Sequence, residues 1–303
     1  MSKHVLVAMM ISLALVAGCS DDDNPTAAAV GTYTYEGWAI INGAPVSTGK
    51  FNLSTSGSYT QSFTNIANLS SATAVVVTIE PPNDTDSVPA STKIVGGAVA
   101  TGSATLTTAF SDALNNNFTS AAGKFILATP TDGDQTAANE KSGLWFLDPV
   151  GPAAGLTLVM LPAGWKYEGW VVINGTPFST GTFLSPAGAD SNASNPPYSP
   201  VGSPPPFPGE DFLINAPTGS TFPVDLTTAG SGGGADVVIS IEPSPDDSTA
   251  PFTLKPLIKQ IPTGTTGGSV VTMTNNASSF PTGTATISGT TLTLTLMGFD
   301  PLK

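Results

Sequence analysis

The chain has 303 residues, 9 Lys+Arg against 22 Asp+Glu, a formal net charge of −13, and only 10% charged residues beside 40% hydrophobic ones. All the basic residues are lysines, and the sole histidine, His4, and sole cysteine, Cys19, both lie near the start. Such an acidic surface argues against nucleic acid and anionic lipid headgroups as partners, and the low charge with substantial hydrophobicity argues against disorder.

In chain order, residues 1–18 run from a short polar start with Lys3 and His4 into the apolar stretch Val5 to Gly18. That is the length of a signal-peptide core, too short to span a bilayer. The stretch closes with Leu15, Val16, Ala17, Gly18 and Cys19, a pattern that resembles a bacterial lipobox. The reading is cleavage before Cys19 and lipidation of that residue, with residues 19–31, including "SDDDNPTAAA", as an acidic, polar tether. Ser20 after the cysteine, with the acidic run starting one residue later, points to the outer membrane of a bacterial cell envelope, the protein being held there through Cys19.

The rest is a tandem duplication. "TYEGWAIINGAPVSTGKF" at 34–51 recurs as "KYEGWVVINGTPFSTGTF" at 166–183, with Tyr35, Trp38, Asn42 and Gly43 matching Tyr167, Trp170, Asn174 and Gly175 at one constant offset. A second block, "AVVVTIEPPNDTDSVP" at 74–89, matches "DVVISIEPSPDDSTAP" at 236–251 and aligns Glu80 with Glu242. Similar strands, "GLTLVML" at 155–161 and "TLTLTLM" at 291–297, close the two copies. The boundary falls near Pro162, giving copies at 32–162 and 163–303, the second carrying a Pro- and Gly-rich insertion at 185–235 that reads as a surface loop.

Each copy opens with an aromatic, β-branched run followed by Asn-Gly, the strongest short-range signal for a tight hairpin. Further strands are expected at 74–80, 104–108, 124–128, 144–147 and 155–160, and no helical periodicity follows the leader. The fold expected is all-β, two tandem antiparallel β-sandwich-like domains after a lipoprotein signal peptide. Trp38 and Trp170 read as anchors of the sandwich cores, and Trp145 and Trp165 as packing the copies together.

The order Tyr35, Trp38, then Pro45, Ser47, Gly49, Phe51, then Val76, Thr78, Glu80, Pro81 resembles the extracytoplasmic C-terminal domain of anti-sigma-K factors. The same order recurs as Tyr167, Trp170, Pro177, Ser179, Gly181, Phe183, Val238, Ser240, Glu242, Pro243. The resemblance covers about half of each copy and implies a β-sandwich-like domain. Sigma binding in that family belongs to a cytoplasmic N-terminal domain joined by a transmembrane helix, neither of which is expected here. An exported chain is therefore not expected to bind a sigma factor directly.

The chemistry permitted is narrow. With His4 and Cys19 assigned to the leader and the anchor, no Ser-His-Asp or Cys-His nucleophile system and no His or Cys metal site can be built. Ser47 and Lys50 have Ser-x-x-Lys spacing, but that motif works on a helix and its lysine becomes Thr182 in the second copy. Glu36 with Glu80, and Glu168 with Glu242, have the residue types of a glycosidase pair; as repeated positions they read as structural hydrogen-bond acceptors. The acidic turns "PPNDTDS", "TPTDGD" and "PSPDDS" offer oxygen ligands without an EF-hand pattern and read as solvated turns, with no metal and no cofactor. The expectation is a non-enzymatic lipoprotein acting as a binding, sensing or structural module with a protein or glycan ligand. The alternatives are a regulatory partner in anti-sigma-type signalling and a carboxylate-based glycan hydrolase.

Overall fold

The computed structural model describes residues 33–53, 57–133, 139–200, 204–245 and 248–299. Cys19, the leader and the tether lie outside the described residues. Among the described residues no helix is long and apolar enough to cross a membrane.

The chain is all-β. Its first part forms β1 (Thr34–Ile41), β2 (Ala44–Asn52), β3 (Gly57–Phe63), β4 (Ala72–Glu80), β5 (Lys93–Ala98), β6 (Ser103–Leu106), β7 (Ala122–Leu127), β8 (Gly143–Trp145), β9 (Leu147–Asp148), β10 (Ala153–Ala154) and β11 (Leu156–Thr157). The second part forms β12 (Trp165–Ile173), β13 (Thr176–Phe183), β14 (Gly209–Asp211), β15 (Asp236–Pro243), β16 (Leu257–Gln260), β17 (Val271–Thr272), β18 (Thr274–Asn275), β19 (Thr282–Ser288) and β20 (Thr291–Phe299). Both Asn-Gly turns form as expected. Asn42 and Gly43 sit at φ 52° and 79°, and Asn174 and Gly175 at φ 50° and 86°, the left-handed pair a two-residue hairpin turn demands.

The two opening hairpins build equivalent sheets, in the orders β2-β1-β4-β5 and β13-β12-β15-β16-β18. Each carries a bulge at the same place, between Gly37 and Trp38 and between Gly169 and Trp170. Alternation then sends Tyr35, Ala39 and Ile41, with Val75, Val77 and Ile79, into the core and leaves Glu36, Trp38, Thr78 and Glu80 on the reverse face.

The second layer does not follow the sequence repeat. Facing the first copy's sheet is β3-β20-β19-β6, whose central hairpin, residues 282–299, comes from the far end of the chain. Facing the second copy's sheet is β11-β7-β8-β14 with β17 on β7, whose hairpin, β7 and β8, comes from the first copy. Each copy therefore donates a pair of strands to the other, the first β7 and β8 and the second β19 and β20. The packing is equivalent on both sides: a Cβ on Gly37 would lie 3.1 Å from Leu294 of β20, and one on Gly169 2.8 Å from the ring of Phe146, next to β8. Across the first sandwich, Tyr35 meets Phe299 edge to face at 5.7 Å and Phe51 stacks on Tyr59 at 5.2 Å. One continuous apolar core, from Tyr35 to Phe299, runs through both sandwiches.

The division near Pro162 thus marks where the sequence repeats, while the sheets interlock across it. The stretch expected as a surface loop also goes inward: 185–235 supplies β14, whose Gly209, Glu210 and Asp211 are all buried, together with buried Phe207, Phe212, Leu226 and Ala229. The closing strand expected at 155–161 shrinks to β11, because β8 and not β11 takes the place that β20 holds in the other sandwich.

Trp165 packs on Phe252, ring centroids 6.2 Å apart, and Tyr33 meets the same Phe252 at 5.2 Å, so these rings join the start of the first sandwich to the second. Trp145 lies in a small separate cluster with Ile126, Leu147 and Phe207 and donates its indole N–H to Asp211 at 2.8 Å.

Candidate functional site

Of the repeat-defining residues, Trp38 with Glu80 and Trp170 with Glu242 share the reverse face of their sheets, while Tyr35 and Tyr167 face the core and Asn42-Gly43 and Asn174-Gly175 make the turns. Trp38 and Trp170 are buried, at 1% and 2% exposed, but belong to neither apolar cluster, which corrects their reading as core anchors. They sit on the opposite face because they alternate with Tyr35 and Ala39, and with Tyr167 and Val171.

There each indole starts a polar chain. Trp38 Nε1 donates to Thr78 Oγ1 at 2.8 Å, Thr78 donates to Glu80, and Glu80 Oε1 also accepts the Ala90 amide at 3.3 Å. In the second copy Trp170 donates to Ser240 at 2.8 Å, Ser240 donates to Glu242, and Glu242 Oε1 accepts the Phe252 amide at 2.8 Å. The glutamate at each Glu-Pro strand end therefore fastens the loop that follows it. Beside each chain a serine held by the bulge, Ser47 or Ser179, donates to Glu36 or Glu168. Thr78 and Ser240 occupy the same place as paired hydroxyls, a match the aligned blocks already carried.

The two copies differ in charge. In the first, the Lys50 ammonium lies 2.7 Å from both the carboxylate and the main-chain carbonyl of Asp84, and this contact holds the Asp84 carboxyl below its ordinary value. Burial pushes the Glu36 carboxyl up, Ser47 opposes this, and the Glu80 charge adds to the rise. Ser47 and Lys50 thus have different partners on a strand and form no Ser-Lys pair. In the second copy Thr182 stands where Lys50 does.

The reverse face of the second copy continues past Trp170 into an open groove of about 890 Å³. Val172, Pro177, Val238 and Ile258 give it an apolar surface, and Asp236, Lys255, Lys259 and Gln260 give it polar groups. Its size suits a small-molecule or glycan ligand.

A third acidic place, which the sequence did not signal, is built by the buried insertion. Glu210 accepts from Ser199 and from the Asp211 amide, its Oε2 lacks a hydrogen-bond partner, and burial lifts its carboxyl to about 8. Asp211 accepts the Thr131 amide at 3.0 Å, the Thr131 hydroxyl and the Trp145 indole; burial still raises it, to about 6. Asp190 accepts the Gly209 amide at 2.9 Å. Only the dipeptide Glu210-Asp211 between apolar Phe207 and Phe212 hints at this in the sequence.

Comparison with known proteins yields no match to a family model, a curated protein or a solved structure.

Proposed function

We propose that the chain is a non-enzymatic, lipid-anchored module of the bacterial cell envelope that binds a protein or glycan ligand on the reverse face of its second copy. The groove beside Trp170 carries this reading. It joins apolar Val172, Val238 and Ile258 to Lys255 and Lys259, two of the few cations in an acidic chain, the mixture of apolar wall and few polar groups that ligand sites use. The paired glutamates support a structural role, since Glu36, Glu80, Glu168 and Glu242 are buried and engaged by hydroxyls of their own sheets. The lipobox at Cys19 supports the anchor.

The test is a crosslinking pull-down from intact cells of the wild-type chain, Cys19→Ser and Val172→Asp. The expected result is one envelope glycan or outer-membrane protein enriched with the wild type and lost with Val172→Asp, the Cys19→Ser form leaving the membrane fraction. Enrichment of a membrane signalling protein instead would favour the anti-sigma-type alternative. Glycan turnover by purified protein that disappears in Glu36→Gln or Glu168→Gln would overturn the non-enzymatic reading.

A further inference from the structure

The acidic group at the edge of the first copy's buried chain holds more negative charge than its hydrogen bonds account for. Glu36, Glu80 and Asp84 each bring a carboxylate oxygen to a place where all three lie within 4.8 Å of one another. That spread equals the span of two calcium–oxygen bonds of about 2.4 Å across one ion. Three carboxylates face a single ammonium, and Lys50 spends it on Asp84, 2.7 Å from Oδ2 and 2.7 Å from the main-chain oxygen.

A second observation points the same way. Glu36 is 4% exposed; its Oε1 accepts from Ser47, while Oε2 is buried with no hydrogen-bond partner. A buried, unmatched carboxylate oxygen is costly unless a cation or donor meets it. The Lys50 contacts also show that an Asp84 carboxylate oxygen and the Asp84 carbonyl converge on one positive centre, the donor set a hard cation takes.

We infer that Glu36, Glu80 and Asp84, with the main-chain carbonyl of Asp84, form a divalent-cation site of the calcium class in which the Lys50 ammonium is a built-in competitor. A hard ion displaces the ammonium, bridges Glu36 and Glu80, and ties the 81–92 loop to the sheet. The second copy supplies the natural comparison, since it keeps both glutamates but has threonine at the lysine position. This site is independent of the groove.

The experiment is terbium luminescence on the full-length protein in detergent, excited through tryptophan, with calcium as competitor. Trp38 is joined to Glu80 through Thr78, close enough to sensitise a bound lanthanide. The expected result is saturable emission displaced by calcium, abolished in Glu36→Gln and in Asp84→Asn, and about tenfold tighter in Lys50→Thr. Asp84 lies in a loop, so Asp84→Asn separates loss of the ion from loss of the fold. Emission unchanged in Asp84→Asn, or no calcium competition at about millimolar concentration even in Lys50→Thr, would overturn the inference and leave Lys50 as the only cation at these carboxylates.

Discussion

The hydroxyls of Thr60 and Thr295 lie 3.0 Å apart across adjacent strands, although 235 positions separate them in the chain. They mark the seam at which the last hairpin closes the first sandwich. Leu292, Leu294 and Leu296 of that hairpin are buried in the first copy's core. Leu294→Ala is therefore expected to cost about 2–5 kcal/mol and to loosen the first copy. Hydrogen exchange should show the loss on β1 and β4 while β12 and β15 keep their protection; the reverse pattern would refute the exchange of hairpins.

Two glycines of the second copy give a steric test. A Cβ on Gly169 would lie 2.3 Å from Thr180 Oγ1 and 2.8 Å from Phe146, whereas one on Gly175 meets nothing within 4 Å. Gly169→Ala should destabilise by about 1–3 kcal/mol through overpacking against the donated hairpin. Gly175→Ala costs only the strain of a left-handed residue at φ 86°, about 1 kcal/mol. Urea unfolding of both variants checks the order.

Glu210 sets a pH dependence. Its folded value of about 8 lies above the ordinary 4.5, and that of Asp211, about 6, above 3.8. The folded state binds these protons more tightly than the unfolded one, so their contribution to stability is present in mild acid and is lost as pH rises from about 4 to about 8. The urea midpoint of the wild type should fall between pH 5 and pH 8.5. In Glu210→Gln, which keeps a neutral side chain there, the fall should be much smaller, and an equal slope in both proteins would refute the assignment.

Trp38 and Trp170 each hold one hydroxyl through the indole N–H. Replacement by phenylalanine removes that donor and leaves part of the buried space unfilled. Trp38→Phe and Trp170→Phe should each cost about 1–3 kcal/mol. The effects should add, because the residues belong to separate sheets. A cycle of the single and double variants by thermal unfolding measures this.

The sequence alone determined what is local. Asn-Gly between alternating aromatic and β-branched residues specifies a tight turn and a hairpin; the repeated blocks specify the same sheet twice, and the Glu-Pro strand ends recur with their serine or threonine partners. Even the placement of Trp38 followed in principle from Tyr35, by counting faces along one strand. What only the tertiary structure decided is pairing between distant segments. Alternation along Thr291–Phe299 specifies a strand with one buried face, but nothing in it says that it belongs beside Gly57–Phe63. The pairing is seen only in close fits such as Leu294 against Gly37. Likewise, the Pro- and Gly-rich composition of 185–235 describes its backbone freedom but not the apolar slot that draws Glu210 and Asp211 inside, because burial is set by the partner surface, here Trp145 and Thr131, which the segment itself does not encode.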